Sequence, residues 1–282
     1  MFASRLEIIP TQDIVPAVLE RVPAGTTITV TCLPQHGVER TMDTASALAG
    51  HGFNVVPHLA ARSISSRGQL AGILRACGTA GITELFVIGG DKGQSGGPFE
   101  SSEDLMREIA QLSGKSMKMG VAGYPEGHPS IADGQLMESL RIKQDLATHI
   151  VTQMCFSPST IAEYMAVLRR DGVKLPVWAG VAGAVPRTKL LRLATKIGVG
   201  SSLRFITGKG ALGMTLLGGT SYQPEQFIAD LADLPVPPAG IHLYTFNSLD
   251  SLPEAGGLGP MHGTSDGAGA KGGVRSSAVP SP

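Results

Sequence analysis

A chain of 282 residues with 42% hydrophobic residues is long enough for one large core and requires no second domain. Lys plus Arg and Asp plus Glu number 23 each, so no net field gathers nucleic acid or an anionic membrane surface, and a small ligand is the expected partner. Cys32, Cys77 and Cys155 stand far apart without a C-x-x-C, which excludes a disulfide framework and the usual zinc spacings.

The start, MFASRLEII, carries neither a long apolar stretch nor a cleavage-like end, and no run reaches the length of a membrane span, so the expectation is a cytoplasmic protein. Short apolar runs then recur, several ending on a chemically capable side chain. They are LEIIP with Glu7, TITVTCL with Thr31, NVVPHL with His58, LFVIGGD with Asp91, MGVAGYPEGH with Tyr124 and His128, HIVTQMC with Gln153, and IHLYTFN with Tyr244. Runs of this kind read as buried parallel strands. With VWAGVA they give eight, over about residues 4–9, 26–33, 54–60, 84–90, 117–123, 149–155, 176–182 and 240–246.

Helical periodicity fills the gaps. Leu70, Ile73, Leu74 and Cys77 share one face, so Cys77 reads as core packing. Ser101 and Ser102 precede Glu103 and Asp104, acids where a helix dipole favours them, and Ser157 with Pro158 forms an N-cap and first helical position for a helix ending at Gly172. Leu190, Leu191, Ala194 and Ile197 before Gly198 mark another helix, and PEQFIADLADL one more. Alternating strands and helices argue an α/β fold, a (β/α)8 TIM barrel over residues 1–248 with no regular helix after the last strand. Residues 249–282 hold eight Gly, four Pro and five Ser, which is the composition of a flexible tail.

In such a barrel the strand C-terminal ends converge on one mouth, so the residues ending these runs are site candidates. Glu7, between Leu6, Ile8 and Ile9, is either an inward carboxyl whose desolvation favours the acid form, or an outward residue with a salt-bridge partner. Asp91 closes an apolar strand and keeps its charge if partly solvated. His58 and His128 have no third ligand at a recognisable spacing, so hydrogen-bonding roles are favoured over metal binding. The G-x-G-x-x-G at Gly208, Gly210 and Gly213 is followed by too short a helical run for a dinucleotide fingerprint and reads as a loop over the mouth. The glycine-rich stretch from Gly89 to Gly97 follows a strand directly, where backbone can approach a ligand or simply form an exposed loop.

Taken in order, LEIIP, VTCLPQHG, PHLAAR, IGGD, AGYPEGHP, IVTQMCF and HLYTFN resemble the methylenetetrahydrofolate reductase family, over nearly the whole chain apart from the tail. The resemblance implies a (β/α)8 catalytic barrel that reduces the one-carbon bridge of 5,10-methylenetetrahydrofolate to a methyl group, usually through FAD. It puts Glu7 in the role of the general acid that opens the folate ring, and Asp91 in that of the carboxylate stabilising the cationic iminium. Gln153 resembles the pterin-contacting glutamine, and Tyr244 belongs with the substrate. Thr31, His58, Tyr124, His128 and, after a one-residue gap, Lys143 fall where typical members contact the flavin or its phosphates. The family's arginine-glycine-aspartate is here Gly89, Gly90, Asp91, and its tyrosine-alanine pair is replaced near Ser101 and Ser102. Loss of that arginine removes a charge-assisted contact, so folate chemistry is better supported than flavin binding. The leading expectation is an NADH-dependent reductase with direct hydride transfer and no metal. A conventional FAD enzyme and a non-catalytic folate-binding barrel are the alternatives.

Overall fold

The structure, a computed structural model, describes residues 2–90, 97–186, 190, 222–250 and 252. Eight parallel strands close into a barrel in chain order: β1 (Ala3–Ile8), β2 (Thr27–Val30), β3 (Asn54–Ala60), β4 (Glu84–Ile88), β5 (Lys118–Gly123), β6 (His149–Thr152), β7 (Val177–Ala182) and β8 (Gly240–Tyr244). Between them lie α1 (Ile14–Arg21), α2 (Gly37–Gly50), α3 (Arg67–Ala80), α4 (Ser102–Leu112), α5 (Asp133–Lys143), α6 (Pro158–Arg170) and α7 (Glu225–Ala232). The expected (β/α)8 TIM barrel is therefore the observed fold. Several strands stop two or three residues short of the expected spans. Beyond Val30 and Thr152 the ladder thins to single bonds, Thr31 N–H to the Ile8 carbonyl (3.0 Å) and Gln153 N–H to the Gly123 carbonyl (2.7 Å), as the chain turns into the mouth.

Alternation along each strand sorts the side chains. Leu6, Ile8, Ile28, Leu59, Leu85, Val121, Ile150 and Leu243 are buried in the core shared with the helices, where each such residue contributes about 1.5–3 kcal/mol. A separate cluster of Val56, Phe86 and Val151, packed with Ile88, Ala122 and Trp178, fills the barrel interior. Pro57 sits inside β3, an unusual place for a residue without an N–H. It pairs with Val30 of β2, while the ladder to β4 begins only at His58.

Helix starts follow the local chemistry. Ser101 and Asp104 form a reciprocal capping box at α4, and Ser157 Oγ accepts from Thr160 N–H ahead of Pro158 at α6. The helix expected from Leu190 and the glycine loop at 208–213 lie outside the described residues, apart from the buried Leu190. No helix follows β8 among the described residues. The seam is instead a direct β1–β8 ladder from Ala3↔Gly240 to Glu7↔Tyr244. Beyond it, Asn247 clasps Ile9, its Oδ1 accepting from the Ile9 N–H (2.8 Å) and its Nδ2 donating to the Ile9 carbonyl (2.9 Å). Leu249 is buried and Leu252 packs against the core, so the first residues after the clasp touch the barrel.

Candidate active site

Because Leu6 and Ile8 face the helices, Glu7 between them projects into the barrel, which settles the choice left open by the sequence. Its Oε2 lies 2.9 Å from His242 Nε2 and 3.7 Å from His58 Nε2. Both imidazoles come from inward positions of β8 and β3 and are buried. Burial pushes the His58 imidazole down to about 4, against the opposing pull of Glu7 and with a smaller push from His242, so His58 is neutral at physiological pH. Neither Lys nor Arg is paired with Glu7 among the described residues. If His242 Nε2 carries the proton, it donates to the Glu7 carboxylate; if Glu7 carries it, the carboxyl donates to that nitrogen. One contact therefore serves both protonation states of Glu7.

Tyr244 follows two residues after His242 on the same face, its ring edge-on to that imidazole at 4.9 Å. Its hydroxyl donates to the Thr152 carbonyl (2.9 Å), and burial holds the phenol well above its usual range. The ring, stacked on Phe246, is what Tyr244 offers a ligand. Gln153 Oε1 accepts from Met154 N–H (2.9 Å), and its amide nitrogen has no partner among the described residues. Thr31 ends β2 with a buried hydroxyl that likewise has no partner. Asp91 lies outside the described residues, immediately after Gly90.

The remaining candidates form a second group. Tyr124 meets His128 edge-to-face at 5.0 Å, and His128 Nδ1 accepts from Ser130 N–H (3.2 Å). Tyr124 and Lys143 line a cleft of about 430 Å³ between α5 and α6, with Leu136, Met137, Leu140 and Tyr164 as apolar walls. Lys143 is buried and donates to Ser102 Oγ (3.3 Å); burial lowers its ammonium to about 8, partly offset by Glu103.

Among the described residues this set offers a flavin diphosphate few cations: Lys143 is engaged with Ser102 and weakened, His58 faces Glu7, and Gly89 has no side chain to give. No group of three or more His, Cys, Asp or Glu able to hold a metal occurs among the described residues. All three cysteines are buried, and burial pushes the Cys77 thiol up to about 11. His242 and Arg62 were not singled out in the sequence. Period-two alternation from Tyr244 would have marked His242, whereas Arg62, just past a strand, carried no signal of its own.

Comparisons with known proteins bear on the family and the fold. Relatives include methylenetetrahydrofolate reductase 1 of Schizosaccharomyces pombe, 29% identical over 152 residues (50% of this chain, 25% of that protein), and methylenetetrahydrofolate reductase 2 of Saccharomyces cerevisiae, 29% identical over 102 residues (35% and 17%). The matched part thus spans a quarter or less of these curated relatives. A crystal structure of oxaloacetate acetylhydrolase superposes with a TM-score of 0.53 at 11% identity, covering 88% of this chain and 77% of that one, a likeness of fold alone. The family model for methylenetetrahydrofolate reductase matches residues 15–200, well over half of the chain, and the chain belongs to that family.

Proposed function

We propose that this barrel reduces the methylene bridge of 5,10-methylenetetrahydrofolate to a methyl group, with NADH delivering hydride directly to the bridging carbon. The observation that carries the reading is the inward Glu7, held at 2.9 Å by an imidazole that can accept or donate and paired with no permanent cation among the described residues. An arginine there would hold the group as a carboxylate; a histidine lets it exchange a proton.

Gln153 binds the pterin edge, and the Tyr244 ring packs beside it. Glu7 gives its proton to the folate nitrogen as the five-membered ring opens, leaving an iminium cation at the bridge. Asp91, which follows Gly90 in the sequence, opposes that positive charge. Two electrons and a proton leave nicotinamide C4 as hydride and form the new C–H bond, releasing NAD+. Solvent then reprotonates Glu7, with His242 fixing the carboxyl between turnovers. The cleft suits the adenosine half of the dinucleotide, its apolar walls facing the base. A reaction drawing on NADH and reduced folate is suited to the cytoplasm.

The test is the visible spectrum of the purified protein followed by NADH oxidation with and without added FAD. A colourless protein with intersecting double-reciprocal lines is expected. Yellow protein that releases stoichiometric FAD and shows ping-pong kinetics would instead establish the conventional flavin enzyme. Folate binding without NADH oxidation would establish a non-catalytic barrel.

A further inference from the structure

The end of β4 is held by a residue from the neighbouring loop. Arg62 lies in the single 3-10 turn Ala61–Ser63 that follows β3. Its backbone N–H donates to the Gly89 carbonyl (3.1 Å), and its Nη1 donates to the Gly90 carbonyl (2.7 Å). The two glycines of this turn are there for different reasons. Gly90 has φ +81°, a left-handed conformation, and a Cβ on it would stand 3.1 Å from Ala60 Cβ. Gly89 is not left-handed, so its backbone would accept a side chain. Among the described residues other than its chain neighbours, the one heavy atom within 4 Å of a Cβ built there is Arg62 Nη1, at 3.3 Å. A longer side chain pointing the same way would displace the guanidinium from its bond to Gly90.

We propose that Arg62 is a positioning residue that clamps the Gly89–Gly90 turn, which Asp91 follows in the sequence, and that it occupies the room a side chain at 89 would use. Position 62 and position 89 are then alternatives: the rim of the mouth takes its cation from the β3 loop or from the end of β4, not both. This rests on the proposed reductase reading for its activity readout, but the geometry does not.

Two series test it. Arg62→Ala should lower kcat about tenfold or more while leaving the KM for the methylene substrate within about twofold, since the substrate-binding residues are untouched and the turn is misplaced. Arg62→Lys should recover part of the loss. Gly89→Ala should be mild and Gly89→Leu severe in the native background, while Gly89→Leu should add little to Arg62→Ala, because the collision is gone. The same four-cornered comparison of native protein, both single variants and the double is read in unfolding midpoints, so a protein without reductase activity would overturn the proposed function yet still test the clamp. Additive effects of Gly89→Leu and Arg62→Ala in both readouts, or an unchanged kcat in Arg62→Ala, would overturn the inference.

Discussion

The barrel interior holds two clusters of one carboxylate with histidine, and they differ in one component. Toward the N-terminal ends of the strands, Glu84 pairs with Arg5, which also contacts His149 Nε2 at 3.0 Å and lies 4.1 Å above the Trp178 ring. Toward the mouth, Glu7 has His242 and His58 for partners. The lower carboxylate is matched by a permanent cation, and the cluster acts as a polar plug. The upper one faces imidazoles, which can give or take a proton. Position along the barrel axis follows the usual division of such folds, stability at one face and chemistry at the other.

The sharpest way to test this division is to remove each carboxylate's defining partner. Glu7→Gln, nearly isosteric, should lower NADH oxidation by about 100- to 10,000-fold and leave the unfolding midpoint almost unchanged. Arg5→Met should do the reverse. It leaves Glu84 with only the His149 imidazole, 3.5 Å away, and no permanent cation, with a loss on the order of 3 kcal/mol seen in urea unfolding and turnover per folded molecule retained. If Arg5→Met removed activity and left stability alone, the two clusters would have to exchange roles.

Acid titration separates the clusters less strongly. His58 is held at about 4 in the folded chain, against about 6.5 unfolded, so the unfolded state binds the extra proton between those values. The stability carried by its neutral form is complete above about pH 6.5 and is lost as pH falls toward 4, at up to about 1.4 kcal/mol per pH unit. His149, also lowered by burial and by Arg5, adds to the same limb. His58→Asn should therefore flatten the fall in urea midpoint between pH 6.5 and 4.5; an unchanged slope would mean that His58 is already charged in the folded protein. The smallest effect concerns the chain end. Truncation after Leu252 should leave the unfolding midpoint within about 0.5 kcal/mol of the native value, whereas truncation after Ser248 also removes the buried Leu249 and the Arg21–Asp250 pair and should lower it by about 1–3 kcal/mol.

Much of the barrel was legible because each strand is a short apolar run bounded by turn residues, and parallel strands buried on both faces leave that mark. Glu7 and Gln153 were legible as polar residues where an apolar run should continue. What was hidden depends on which side chains meet across the barrel. His242 gained its meaning only from the register that sets β8 beside β1, and Arg62 only from the approach of the β3 loop to the end of β4. Lys143 was marked as a phosphate contact, yet its burial against Ser102 follows from how α4 and α5 pack, which periodicity does not encode. The clasp by Asn247 was likewise unreadable, since an asparagine after a strand signals only a turn.

The contact between Glu7 and His242 spans 235 residues of sequence. The ladder that brings them together joins the first strand of the barrel to its last, with the Asn247 clasp just beyond it. A nascent or interrupted chain can fold much of its α/β layer and still lack a partnered acid. The Glu7–His242 contact therefore comes into being only with completed barrel closure, so on the proposed reading the onset of turnover during refolding should coincide with the slowest, most non-local step rather than with helix formation.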